Sequence, residues 1–402
     1  QAVESADTGG NASLLYLSTT EVYSPGKAGT SNTVFGKAAG ASLDAGSNYN
    51  VFIGENVSDA TMNDAIWNVG VGYAALSSLT TGDRNTAVGY QALTTYNVGI
   101  GYTALSALTD GDQNTMVGAR AGLALTDGHY NTFIGDYAGA GSTSPDNCVF
   151  IGQNAVGDGN ATQGGTIAIG KQSLAALTSG IRNIAIGYTA MQHADTATDN
   201  IAIGYGAMGD QDVGGDGEAA DSDYNIAIGT NSMGGAWVAN KSEFNVAIGA
   251  NTMEGAMNAS SNNVAVGNVA LAALTTGVSN VAVGSGAADA MTVGDRNIAI
   301  GVSAMGAAAT ADGQDDNIAI GFNAYATGNA TDSLRNIAIG SYALDATSTT
   351  ATVGQIAIGH QALGALTTAT GCTAVGYYAG VALVGGDQNT VVGYEALPED
   401  TE

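Results

Sequence analysis

The hydrophobic pattern of this chain is short, and it repeats. Asn280-Val281-Ala282-Val283-Gly284 is preceded by Asn263-Val264-Ala265-Val266-Gly267 and followed by Asn297-Ile298-Ala299-Ile300-Gly301, with the glycines 17 residues apart. From Asn32 onward 21 copies align on their glycine, from Gly36 to Gly393, and most steps are 17 or 18 residues. A fixed short period of this kind signals a solenoid before any local reading. Two strands of about five residues and two tight turns need about that many residues. One repeat is therefore read as one coil of an all-β β-solenoid, or β-roll. At about 4.8 Å per stacked strand, the coils would build a rod roughly 100 Å long.

The columns of the alignment carry more than its rows. The residue before each glycine is Val or Ile in every copy but the first, which has Phe35, and the residue three before it is Val, Ile or Thr. Alternation places these two on one face, and stacked β-branched side chains predict an inner core there. After the glycine Ala-Leu or Ala-Met recurs, as in Ala92-Leu93, Ala190-Met191 and Ala270-Leu271. A second strand is expected there as the other wall. The middle residue of the first strand is Ala in 13 of the 21 copies, among them Ala185, Ala202, Ala265, Ala282 and Ala299. Elsewhere it is Gly, Val34, Phe52, Met116, Phe133, Phe150 or Val391. A solvent-facing strand would carry Thr, Ser, Lys or Glu. This Ala face is accordingly expected to pack against other copies of the chain.

The position four before the glycine is Asn in 17 copies, including Asn85, Asn183, Asn200, Asn263, Asn280 and Asn297. Stacked Asn side chains predict an amide ladder at the strand start. The exceptions are Cys148, Thr166, Gln355 and Cys372. Two cysteines 12 coils apart in one column cannot bridge within a chain, so free buried thiols are expected, or contacts between chains if the column lies near a symmetry axis.

Between copies run turns such as Thr81-Gly82-Asp83-Arg84, with the Gly-Asp chemistry of tight turns. The residue before the Asn reads Tyr49, Trp67, Arg84, Tyr96, Gln113, Tyr130 in successive coils, which predicts a stacked corner with Arg84 between Trp67 and Tyr96. A second aromatic column, Tyr73, Tyr90, Tyr102, follows the glycine. Longer copies place extra residues on one edge, where repeat proteins usually bind. That edge holds Trp237 and Phe244, which with Tyr73, Tyr90 and Tyr102 are candidate contacts to a glycan or protein receptor. It also holds an acidic loop with Asp210, Asp212, Asp216, Asp221 and Asp223. Carboxylates suit Ca²⁺, but the loop lacks the spacing of an RTX repeat or an EF-hand, so a solvated loop and no cofactor are expected. No nucleophile elbow, phosphate loop or zinc-protease helix occurs, and His129, His193 and His360 lie on different coils. An enzyme is not expected.

Charge narrows the partners. A formal net charge of −27 argues against nucleic acid and against anionic membrane surfaces, and no apolar run reaches the length of a membrane span. Two cysteines and an acidic, turn-rich composition suit an extracellular or virion surface. Residues 1–31 do not repeat and read as a cap or a subunit-joining segment. Residues 32–397 read as the solenoid, and 398–402 as a tail.

Asn85-Thr86-Ala87-Val88-Gly89-Tyr90-Gln91-Ala92-Leu93 and Asn183-Ile184-Ala185-Ile186-Gly187 resemble the head repeats of YadA-like trimeric autotransporter adhesins. They also resemble the related repeats of phage tail fibres and bacterial surface proteins. The likeness spans residues 32–397, although the 17-residue period exceeds that typical of adhesin heads. It implies a homotrimer with the short strands around the axis, serving as a structural and adhesive fibre. Two alternatives are a filament subunit joined end to end through its N-terminal segment and a tailspike-like glycan depolymerase.

Overall fold

The computed structural model describes residues 31–399 apart from 78, 80–81, 93–95, 162–163, 210–221, 238–239, 307–313, 327–332 and 347–351. The proposed N-terminal cap, save its last residue, lies outside the described residues, as do most of the acidic loop and residues 400–402 of the tail.

The chain forms two compact units, residues 1–164 and 165–402. Each is a β-solenoid, and the described residues contain no helix. The first unit carries eight strands, β1 (Thr33–Phe35) to β8 (Val149–Ile151), and the second thirteen, β9 (Ile167–Ile169) to β21 (Thr390–Val392). Within each unit successive strands pair in parallel and in register. In β10 (Ile184–Ile186) and β11 (Ile201–Ile203), Ile184 lies beside Ile201, Ala185 beside Ala202 and Ile186 beside Ile203.

Each coil has one strand of three residues, not two of five. The second segment is a run of turns, because left-handed residues interrupt it: Thr189 has φ 55° and Met191 φ 51°. Its N–H groups bond to both neighbouring coils, Thr189 to the Lys171 carbonyl at 3.1 Å and Met191 to that of Ala207 at 3.0 Å. A residue in this conformation costs roughly 1–2 kcal/mol, so a coil alone does not hold its shape and stacking must supply the difference. The strand-ending glycine is a steric requirement. Gly187 has φ 146°, and a Cβ on it would stand 2.1 Å from the carbonyl oxygen of Gly204.

The two faces of the strand are the reverse of the sequence expectation. Ala185, Ala202, Ala265, Ala282 and Ala299 are buried inside their own coils, so they form no oligomer face. The flanking Val and Ile side chains point outward and stay partly accessible, Ile300 at 38 %. The reason is the width of the coil interior. Only the middle residue of a three-residue strand can face the turn wall, where Ala190, Met191, Ala207, Met208, Ala270 and Leu271 are buried. A Cβ on Gly70 would lie 2.7 Å from Val57 and 3.0 Å from Leu76 on that wall, so the wall side chains already fill the space. Small residues inside thus report a thin core rather than a second chain.

Candidate functional site

The recurrent columns divide into those that hold the coils together and those that face solvent. The Asn column is of the first kind. The backbone N–H of Asn280 donates to Oδ1 of Asn263 at 2.9 Å, and its Nδ2 donates to the same oxygen at 3.0 Å and to the Gly294 carbonyl at 2.6 Å. Asn85 donates in the same way to Asn68, Asn200 to Asn183, and Asn297 to Asn280. All are buried, and a buried amide of this kind needs its partners. Gln355 continues the run, accepting from the N–H of Cys372 through Oε1 at 2.9 Å. Cys148 and Cys372 are free and buried. Cys148 receives the ladder through its N–H, 3.0 Å from Oδ1 of Asn131, while its thiol lies 3.4 Å from the Asp146 carbonyl.

A second structural column escaped the sequence reading. Two residues before the Asn, a carboxylate accepts the N–H of the equivalent residue one coil earlier: Asp83 from Ile66 at 2.8 Å, Asp146 from His129 at 2.8 Å, and Asp295 from Val278 at 2.9 Å. Asp223, a Ca²⁺ candidate, belongs here and accepts from the Thr198 N–H at 2.7 Å. Its fellow candidates Asp210, Asp212, Asp216 and Asp221 lie outside the described residues. Among the described residues no group of three or more His, Cys, Asp or Glu is placed to hold a metal ion. The signal for this column was the recurrence of Asp at one fixed offset, which reads equally well as turn chemistry.

The solvent-facing columns are aromatic, ionic and aliphatic. Tyr73, Tyr90 and Tyr102 stack with ring centroids 5.3 and 5.4 Å apart, and the guanidinium of Arg120 lies 5.6 Å from the Tyr102 ring. These rings cover each other's faces and offer edges and hydroxyls outward. Phe244 is exposed and stacks on Tyr224 at 5.0 Å. Trp237 is not a surface contact. It is fully buried in a 20-residue coil, where its indole N–H donates to the Met233 carbonyl at 3.2 Å. A longer coil encloses more space, and Trp237 fills it. At the other corner Tyr49 stacks on Trp67 at 6.1 Å, and Arg84 lies 4.7 Å over the Trp67 ring.

Ion pairs join neighbouring coils. Arg182 grips Asp199 with two bonds of 2.7 and 2.6 Å, which hold that carboxyl below its ordinary value. Arg296 binds Asp316 at 2.7 Å with Asp295 and Asp315 nearby. His129 meets Asp112 at 2.9 Å, and this hydrogen bond raises the imidazole above 6.5. Burial raises the carboxyl of Asp289, whose Oδ1 has no hydrogen-bond partner.

A continuous outer feature of the second unit is aliphatic. From β9 to β19 (Ile356–Ile358) both flanks of every strand are Ile or Val, and the first unit mixes Thr into one of the two columns. Eleven strands at about 4.8 Å spacing and about 10 Å width give a plane of roughly 500 Å². That is the size at which exposed apolar patches on monomers tend to be functional. No protein-family description, curated protein or solved structure matches this chain.

Proposed function

We propose that this protein is a non-enzymatic structural and adhesive fibre, acting outside the cell or on a virion as a homotrimer. The observation that carries this reading is the outward Val/Ile stripe. Strand flanks carry no charge in a chain with 36 acidic and 9 basic residues, and flat β-branched rows suit close packing against like rows. The oligomer contact thus moves from the Ala columns to the aliphatic ones. The exposed aromatic columns, Tyr73, Tyr90, Tyr102 and Phe244 among them, are the surface offered to a glycan or protein receptor. Light scattering of the intact chain should give the mass of three copies. Introducing Ile203→Glu together with Ile228→Glu should reduce it to one copy while the β circular dichroism is kept. A single-chain mass for the unaltered protein would overturn the trimer.

A further inference from the structure

The shortest coil runs from Gly89 to Gly101, 12 residues where the usual step is 17. Five fewer residues reach less far from the core. The pairing slips at this corner. The N–H of Gln113 donates to the carbonyl of Tyr96, its own equivalent one coil earlier, at 3.1 Å. In the next two coils the equivalent donors, Tyr130 and Asn147, bond instead to Asp112 and His129, one place earlier in the turn. Beside the short coil lies an open cleft of about 420 Å³ lined by Arg84, Tyr96, Asp112 and Gln113, within the size range of small-ligand sites.

The lining combines a cation, an aromatic ring, a carboxylate and an amide. Arg84 makes no ion pair among the described residues, whereas Arg182 and Arg296 are each bound to Asp. Trp67 instead fixes it from below, at 4.7 Å, so a long cation is ordered before any ligand arrives. Tyr96 is 44 % exposed and, unlike Tyr73, Tyr90 and Tyr102, stacks on no other ring among the described residues. Its face is free. Asp112 is held by His129 at 2.9 Å, and Gln113 adds an amide donor and acceptor.

We propose that this cleft binds a carboxylate-bearing saccharide. Arg84 takes the carboxylate through a charge-assisted bond, the Tyr96 face takes the sugar ring, and Asp112 and Gln113 take hydroxyl groups. The chain's negative charge repels anions in general, and the guanidinium of Arg120 also lacks an ion pair among the described residues, so selectivity comes from Arg84 together with Tyr96, Asp112 and Gln113 beside it. The site extends the adhesive reading and rests on it for its purpose. Its four residues belong to one chain, so it can fail while the fibre stands.

Trp67 is 46 % exposed and Trp237 is buried, so a ligand at Arg84 is reported by the emission of Trp67. The intact protein is titrated with trigalacturonate, sialyllactose and neutral lactose, with saturation-transfer NMR on the same solutions to detect binding that leaves the emission unchanged. At least one acidic sugar should saturate, and lactose should bind about tenfold more weakly or worse. Arg84→Gln should weaken the acidic sugar by about tenfold, and Tyr96→Ala should weaken it as well, with unchanged circular dichroism in both. Response to trigalacturonate alone places the carboxylate at the sugar C6, and response to sialyllactose alone places it at the anomeric carbon. The site is refuted by equal binding of lactose, by undiminished binding to Arg84→Gln, or by no saturable binding of either acid in both measurements. A single-chain mass with intact binding removes the trimer alone.

Discussion

The coils that hold Met116 and Phe133 and those that hold Ala185 and Ala202 fill the same narrow interior from opposite walls. In the first group the strand supplies the bulk and the turn wall makes room with glycine. A Cβ on Gly139 would stand 2.5 Å from the Phe133 ring, and one on Gly122 3.1 Å from Cγ of Met116. In the second group the strand supplies Ala, and Met191 and Met208 are buried on the turn wall. The lesson is that in these coils the two walls share one space. Which wall fills it is free to change, provided the other wall yields.

The comparison is broken most severely at what the two groups share. Gly135→Ala and Gly204→Ala would each drive a methyl group to within 2.4 and 2.3 Å of the next coil's carbonyl oxygen. Both should destabilise their coils by more than about 4 kcal/mol. Hydrogen exchange resolved by coil is the measurement, since repeat stacks need not unfold in two states. Tolerance of either would deny the common geometry. Next comes the strand-filled interior, where Phe133→Ala should cost about 3–5 kcal/mol through the cavity left behind.

The sharpest test exchanges the walls. Ala202→Phe should cost about 1–3 kcal/mol by overpacking, and adding Met208→Gly should recover most of that loss. No recovery would show that these two positions do not share one space. Asn200→Ala acts on a column common to both groups. It removes the acceptor of the buried Asn225 N–H, now bonded at 2.9 Å, and should cost about 1–3 kcal/mol.

The smallest effects are those of pH, and they differ between the units. His129 is raised by its bond to Asp112. Its contribution is full below 6.5, the ordinary value, and fades as pH rises through the higher folded value. For a pair this exposed it should be at most about 0.5 kcal/mol. Asp289 is raised by burial from 3.8. Its coil loses stability as pH climbs from that value through the raised one, because burial penalises the ionised carboxyl more than its backbone hydrogen bonds offset. Exchange rates of neighbouring amides followed against pH should lose the first trend in His129→Gln and the second in Asp289→Asn.

Much of this was legible in the chain. Period, strand position, Asn ladder and buried turn wall all follow from columns in which one residue type recurs. The facing of the strand did not follow, because Val-Ala-Val satisfies alternation in either orientation. The deciding signal lay between columns. Gly70 goes with Leu76, Met116 with Gly122, Phe133 with Gly139 and Ala202 with Met208, and only side chains that share a space compensate in this way. The turn segment reads as a strand in the sequence because left-handed residues such as Thr189 and Met191 carry no mark in composition. The cleft beside Arg84 was foreshadowed only by the 12-residue step. A shortened coil announces a defect but not what lines it.

The in-register ladder also makes length a modular quantity. Ile201 lies beside Ile184 and Ala202 beside Ala185, so excising residues 184–200 would join Asn183 directly to Ile201 and restore the motif. Every column would close over the gap, whatever edge loop was lost, and the stack would shorten by one step of about 4.8 Å. Duplication of the same stretch would lengthen it equally. A gene built this way can tune reach by slipping whole copies, while a frame of unequal length must be absorbed by the turn at the coil edge, as the 12-residue coil does.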